Sequence, residues 1–195
     1  MLEQRIQQQF FESADLFYQV AEGLSRPLAT AAQMLVDGIT GGGRVLCCGQ
    51  GLSALDASYM AALLVGRFEQ DRPGLAAWAL DGQAHGSPAA DAALARQVQT
   101  HGHPGDLLML FDTQGLTPAS EPANWADVLD AAHAQDMSVI AITGSQDDAL
   151  RPLLLDTDVQ IRIPHSRQAR VAEAQRLVAH CLCDAVDLQL LGASE

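Results

Sequence analysis

No lysine occurs in this chain of 195 residues: all eleven basic residues are arginine, set against twenty-four Asp and Glu for a formal charge of −13. That absence removes Schiff-base chemistry, a Walker-type phosphate lysine and a lysine general base together. An acidic chain with no basic run is also a poor direct ligand for DNA or RNA, because phosphate neutralisation supplies most of that affinity. Aromatic residues are scarce at 5%. Long apolar runs are missing as well, and Met1 leads straight into Glu3, Gln4 and Arg5. Neither a secretory leader nor a membrane span is expected, and the expected compartment is the cytoplasm. The four cysteines fall in two close pairs, Cys47-Cys48 and Cys181-x-Cys183. Neighbours on a strand face opposite ways, and helix residues two apart diverge by about 200°, so neither pair converges on a metal. They read as small buried hydrophobes.

What is present is a chain long enough for one domain with a sizeable core. Residues 3–22 and 26–38 read as two helices, broken at Gly23-Leu24-Ser25-Arg26-Pro27. Ile6, Phe10, Ala14, Phe17 and Ala21 form an apolar stripe on the first. Strand-like runs follow at 44–48, 75–80, 106–111, 137–142 and 158–163. Helical segments at 54–67, 90–100, 119–135 and 168–191 alternate with them. This order predicts right-handed crossovers and a parallel sheet covered on both faces. Ligands of such sheets sit beyond the carboxyl ends of the strands. Gly49–Ser53, Asp112–Thr117 and Thr143–Gln146 therefore share one rim. Between Cys48 and the next helix, Gly49-Gln50-Gly51-Leu52-Ser53 is a glycine-bracketed turn of the kind that holds phosphate on free backbone N–H groups. Residues 81–91 read as a loop.

The segments "RVLCCGQGLSALDA", "GRFEQDRPGLAAWAL", "RQVQTHGHPGDLLML", "AAHAQDMSVIAITG" and "VQIRIPHSRQARVAEAQRLVAHCLCDAVD" together resemble the SIS (sugar isomerase) domain family, along nearly the whole chain. Within it the likeness is to the phosphoheptose isomerase branch and to the DnaA initiator-associating proteins. Cys47-Cys48-Gly49, Gly66-Arg67-Phe68-Glu69, Arg72-Pro73 and Cys181-Leu182-Cys183-Asp184 carry the latter. The resemblance implies a single SIS domain over 1–195: a three-layer αβα sandwich, flavodoxin-like, with a five-stranded parallel sheet. It also implies a homotetramer that uses the helices of residues 1–40, the αβα core and last helix occupying 41–195. Residual sugar-phosphate contacts would fall at Gly51, Ser53, Thr113 and Thr117.

Several positions depart from the isomerase pattern. The histidine metal ligand and the catalytic glutamate fall at Tyr59 and Leu63, and the glutamine ligand falls at Ala172; only the histidine at His180 is kept. Proton abstraction beside a carbonyl needs a positioned base, which leucine does not provide. One histidine holds no zinc, so neither metal nor other cofactor is expected. Asp112 stands in the second rim loop, where a carboxylate at about 4 Å from a phosphate would cost roughly 4 kcal/mol at an effective dielectric of 20. The loop Asp81–Asp91 is shorter than its family counterpart.

Other signals read structurally. Glu173, Arg176, His180, Asp184 and Asp187 form a charged stripe, solvated or between subunits, in which Asp184 can pair with His180. His101-x-His103 before Pro104-Gly105 reads as a turn rather than a metal site. Arg162, Arg167, Arg170 and His165 form a basic cluster that serves the structure or accepts an anion. Phe10, Phe11, Phe17 and Tyr18 point to burial of the first helix against another subunit. Ala174, Leu177, Val178, Cys181, Leu182 and Ala185 read as the core face of the last helix. Leu190 and Leu191 either dock a partner or pack inside the tetramer.

The expectation is then a catalytically silent scaffold that, by resemblance, binds the replication initiator DnaA and promotes its assembly at the origin, with multivalency from the tetramer. No direct contact with nucleic acid or membrane is expected. The alternatives are a sugar-phosphate isomerase of the phosphoheptose isomerase type and a sugar-phosphate sensor without turnover.

Overall fold

The computed structural model describes residues 1–81, 90–113, 125–144 and 150–192. Among these residues a long first helix is followed by five strands and four further helices: α1 (Leu2–Thr40), β1 (Val45–Gly49), α2 (Ser53–Val65), β2 (Ala77–Ala79), α3 (Ala90–His101), β3 (Leu107–Asp112), α4 (Trp125–Ala134), β4 (Ser138–Gly144), β5 (Val159–Ile163) and α5 (Gln168–Leu191). A single turn of tight helix, Arg151–Leu153, joins β4 to β5. The strands make one sheet in the order β2-β1-β3-β4-β5, and every pairing is parallel. Among the described residues no helix is long and apolar enough to cross a membrane.

Both faces of the sheet are covered, so its central strands are apolar without alternation. Val45, Cys47, Met109, Phe111, Ile140, Ile142, Ile161 and Ile163 pack with α1, α2 and α5. Leu46, Cys48, Leu108, Leu110, Val139 and Ala141 pack on the other face with α3 and α4. The cysteines follow this division. Cys47, Cys48 and Cys183 are buried and Cys181 is exposed. Burial pushes the thiols of Cys48 and Cys183 up to about 12. Alkylation of the native protein is expected to modify Cys181 alone, and all four cysteines once the chain is unfolded, as intact mass would show.

The two expected N-terminal helices are one. Pro27 lies inside α1, where it removes a backbone hydrogen bond at a cost of about 3 kcal/mol. Apolar burial holds the helix together across the proline: Leu16 and Val20 before it, and Ala31, Ala32, Leu35 and Val36 after it, all join the core. The expected stripe is also displaced. Ile6, Phe10, Phe11 and Tyr18 are exposed in the single chain, Phe10 by 72%, and Phe17 alone of the stripe packs on the core, half-buried. On α5, Ala174, Val178 and Leu182 are buried as expected, but Leu177 and Cys181 face out while Gln175 and Asp187 face in. A helix flanked by a sheet on one side and by α1 and α2 on others buries more than one stripe.

Two ionic contacts fix the chain between elements. Asp106 is buried and accepts from the Arg44 backbone N–H at 2.8 Å, from its guanidinium, and from the His103 backbone N–H at 3.0 Å. His103 thus belongs to the turn before β3, and among the described residues no His/Cys/Asp/Glu group is arranged to hold a metal. Burial pushes the Asp106 carboxyl up, but the Arg44 hydrogen bonds and charge outweigh it, leaving the group below its ordinary value of 3.8. Because the folded value is depressed, the stabilisation is fully present above the unfolded value and disappears as pH falls through the folded one. Urea unfolding of the wild type should therefore lose stability below about pH 4, with that loss reduced in Asp106→Asn.

Arg72 and Asp187 form the second contact, a pair with side chains 1% and 3% exposed and a 2.5 Å separation. The guanidinium also donates to the carbonyls of Leu63 at 3.0 Å and Leu64 at 2.8 Å. Both carbonyls belong to the last turn of α2, where the Leu75 N–H also meets Leu64 at 2.9 Å, so Arg72 helps to close that helix from outside it.

Candidate functional site

Strand register places the expected rim residues side by side. Gly49 lies opposite Phe111, and Asp112 opposite Thr143. The turn from β1 into α2 is tight. Ser53, Ala54 and Leu55 N–H groups close onto the Gln50, Gly51 and Leu52 carbonyls. Gly51 takes φ +56°, and a Cβ on Gly49 would stand 2.4 Å from the Ser53 carbonyl oxygen. Ser53 is buried at the first turn of α2. Its Oγ accepts the Thr113 N–H at 3.1 Å, and its hydroxyl lies 3.3 Å from Thr113 Oγ1. Gln175, fully buried on α5, donates to the carbonyls of Asp112 at 3.1 Å and Ile142 at 2.8 Å. Ser53, Thr113 and Gln175 therefore tie the ends of β1, β3 and β4 together. Of the expected sugar-phosphate contacts, Gly51, Ser53 and Thr113 meet on this rim; Thr117 lies outside the described residues.

Asp112 does not stand where electrostatic repulsion was expected. Strand alternation puts Leu108, Leu110 and Asp112 on the α4 face, and Met109, Phe111 and Thr113 on the α2 face. The Trp125 indole N–H donates to Asp112 Oδ2 at 3.1 Å. The carboxylate is thus turned to the opposite side of the sheet from Ser53.

Beside the rim, α1, α2 and α5 enclose an open cleft of about 540 Å³ that Phe17, Leu52, Leu55, Asp56, Ala172 and Arg176 border. Asp56 is buried and meets Arg176 at 2.6 Å. The Arg176 guanidinium lies over the Tyr59 ring, 4.3 Å from its centroid, an attractive cation–π arrangement. The Tyr59 hydroxyl in turn is 2.7 Å from His180 Nε2. Phe68 also packs on the imidazole, with centroids 5.4 Å apart. The α5 stripe is therefore mixed: Arg176 and Asp184 are exposed, whereas Asp187 is buried. His180 bonds to Tyr59 rather than Asp184, Arg176 bonds to Asp56, and Asp187 is buried on Arg72. Helical periodicity showed the shared stripe, but it carries no information on which element lies opposite.

Tyr59, Leu63, Ala172 and His180 do not suit a divalent metal. One imidazole nitrogen is the single good donor among them, and it is already engaged by a phenol. Three members of the basic cluster sit together on α1, where Arg167 and Arg170 both meet Gln9. Arg167 and His165 meet Glu12 of α1, and Arg170 meets Glu173 at 2.6 Å. At the end of α5, Leu190 packs half-buried against the core and Leu191 is exposed. Of the loop Asp81–Asp91, Asp81 bonds through its backbone to Gln97; the residues from 82 to 89 lie outside the described ones.

This parallel αβα frame, with a serine-bearing turn on its rim, is matched by the SIS domain family over residues 9–144. The chain is a SIS-domain protein. The phosphoheptose isomerase of Methylibium petroleiphilum is 50% identical to it, covering 100% of this chain and 98% of the relative. That of Aromatoleum aromaticum is 40% identical, over 98% and 97%. Phosphoheptose isomerase structures from Neisseria gonorrhoeae (TM-score 0.83, 33% identity, 96% and 99% covered) and Francisella tularensis (0.85, 30%, 96% and 98%) superpose along nearly the whole chain. The chain belongs to the phosphoheptose isomerase family.

These relatives correct the expectation of an initiator-binding scaffold, since proteins alike from end to end carry the name phosphoheptose isomerase. The structure shows why the earlier likeness misled. Cys47, Cys48 and Cys183 are buried core side chains, and Arg72 closes α2. Residues in such positions report on packing and say nothing about a binding partner.

Proposed function

We propose that the chain is a sugar-phosphate isomerase of the phosphoheptose isomerase type, acting on a heptose phosphate at the rim beside α2. Half-identity to a phosphoheptose isomerase along the full length carries the reading, and the preserved turn at Gly49–Ser53 supports it. Isomerisation moves a proton between carbons next to a carbonyl, which takes a group that both accepts and donates. With leucine at 63, the Tyr59–His180 pair, which adjoins the cleft where Arg176 lies over the Tyr59 ring, is taken as the acid–base couple. His180 takes the proton, and Tyr59 orients the imidazole. The exposed Phe10, Phe11, Leu52 and Leu55 suit burial between copies of the chain in a homotetramer, which native mass measurement would register.

The decisive measurement is conversion of a heptose phosphate by the purified protein. Turnover is expected, with kcat reduced by about 10²-fold or more in His180→Gln and less in Tyr59→Phe. A second reading, a sensor that binds without turnover, is favoured by Leu63 and Ala172 at positions where the isomerases bear a base and a ligand. It predicts no conversion, but a thermal shift with heptose phosphate that Ser53→Ala abolishes. Neither turnover nor a shift would exclude both readings.

A further inference from the structure

We infer that Arg176 is a catalytic residue of the proposed isomerase, a reading on which this inference rests. Its guanidinium holds the carbonyl oxygen of the sugar phosphate and stabilises the enediolate formed from it. Two helical stripes face each other beside the rim. Leu52, Asp56 and Tyr59, spaced by four and three, follow one face at the start of α2. Ala172, Arg176 and His180, spaced by four, follow one face of α5. The stripes meet in order along their length. Arg176 donates to Asp56 at 2.6 Å and lies 4.3 Å over the Tyr59 ring, and the Tyr59 hydroxyl is 2.7 Å from His180.

Arg176 is placed to meet a ligand as well as Asp56. A guanidinium carries five N–H donors, and the ion pair uses one terminal nitrogen. Among the described residues its other nitrogens have no hydrogen-bond partner. The Arg176 side chain is 45% exposed against 8% for Asp56. The carboxylate thus anchors the guanidinium from below, and the remaining donors are on the cleft side. Phe17, Leu52, Leu55 and Ala172 border the same cleft, and none of these side chains accepts a hydrogen bond. Donors fixed beforehand among apolar walls stabilise developing charge without reorganising.

Distance along α2 sets where each part of the substrate falls. Tyr59 is six residues beyond Ser53, roughly 9 Å of helix. A phosphate at the rim turn therefore leaves the far end of an extended sugar chain beside Asp56, Tyr59 and Arg176. There the imidazole takes a proton from the hydroxyl-bearing carbon next to the carbonyl. The C–H electron pair becomes the C=C bond of the enediolate, and the carbonyl π pair moves onto the oxygen held by Arg176. The imidazolium returns its proton to the former carbonyl carbon, and the neighbouring hydroxyl passes its own proton to the oxygen on Arg176. The carbonyl has then moved by one carbon, with nothing gained or lost.

Heptose phosphate turnover by Arg176→Ala tests the assignment. Both kcat and kcat/KM should fall by about 10²-fold or more, the loss for removing an oxyanion donor, with little change in KM. Guanidinium ion, well below denaturing concentration, should restore part of kcat in Arg176→Ala and none in His180→Gln. Calorimetry with a phosphosugar hydroxamate, an anionic mimic of the enediolate, gives a readout apart from turnover. Its binding should weaken by at least about tenfold in Arg176→Ala. Melting temperatures are compared first. The double variant Asp56→Asn with Arg176→Gln, which leaves no buried charge unpaired, should keep the fold and lose kcat as Arg176→Ala does. Unchanged kcat, a rise in KM alone, or undiminished hydroxamate binding in Arg176→Ala would each overturn the role of Arg176 and leave the isomerase standing. No turnover by the wild type would overturn both.

Discussion

Arg72→Met should lower the unfolding free energy by about 3–5 kcal/mol, the range for removing one partner of a buried ion pair. The loss comes from two sources. Asp187, with its side chain 3% exposed, would keep a carboxylate without its cation. The Leu63 carbonyl at the end of α2 would lose its guanidinium donor as well, and the Leu64 carbonyl would keep only the Leu75 N–H. Domains of this size are stable by only about 5–15 kcal/mol, so the variant should melt roughly 10 °C or more below the wild type. Restoring apolar balance with Asp187→Leu in the same chain should recover part of the loss, because a neutral buried pair leaves no charge unpaired. A destabilisation below about 1 kcal/mol in chemical denaturation would show that the pair is not what closes α2. Since α2 carries Ser53 at one end and Tyr59 in its middle, the same variant should weaken ligand binding.

Gly49→Ala is expected to be the most damaging single methyl on the rim. The new Cβ would lie 2.4 Å from the Ser53 carbonyl oxygen, 2.5 Å from its carbon and 2.9 Å from the Ala54 nitrogen. All three are backbone atoms at the start of a helix, and no side-chain rotation relieves the contact. The end of β1 and the first turn of α2 must move apart, at about 1–3 kcal/mol for forced overpacking. The Ser53–Thr113 contact then opens. Gly51→Ala provides the contrast: nothing lies within 4 Å of its Cβ, but φ is +56°. It should cost about 1 kcal/mol from backbone conformation alone, and Gly51→Asn less. Thermal melts of the three variants, with and without a heptose phosphate, would separate steric from conformational requirements. A Gly49→Ala variant that melts and binds like the wild type would disprove the tight turn.

Much of the frame was legible in the chain itself. Apolar runs at 44–48, 106–111 and 137–142 mark β1, β3 and β4 to within two residues, and the alternation with helical segments dictates a parallel sheet. The reason is local: a strand covered on both faces must be apolar at consecutive positions, whichever neighbours it meets. The glycine turn was visible for a related reason, because glycine marks where backbone must approach backbone. The break at Pro27 was misread because a proline's cost is local, while the burial that offsets it is contributed by α5 and the sheet.

The amino-acid sequence by itself determined the strand–helix order, the rim at the carboxyl ends of the strands, the want of lysine chemistry, and the departures at Tyr59, Leu63 and Ala172. Only the tertiary structure decided what the polar side chains do. It turned Asp112 to Trp125 and away from Ser53, gave Tyr59 to His180, closed α2 with Arg72, and separated Arg162 from the arginines beside it in the chain. Periodicity along one element is fixed by bond geometry and can be read directly. The partner of a charged or hydrogen-bonding group comes from a distant segment, as Arg72 and Asp187 do across 115 residues, and that choice is made when the core packs.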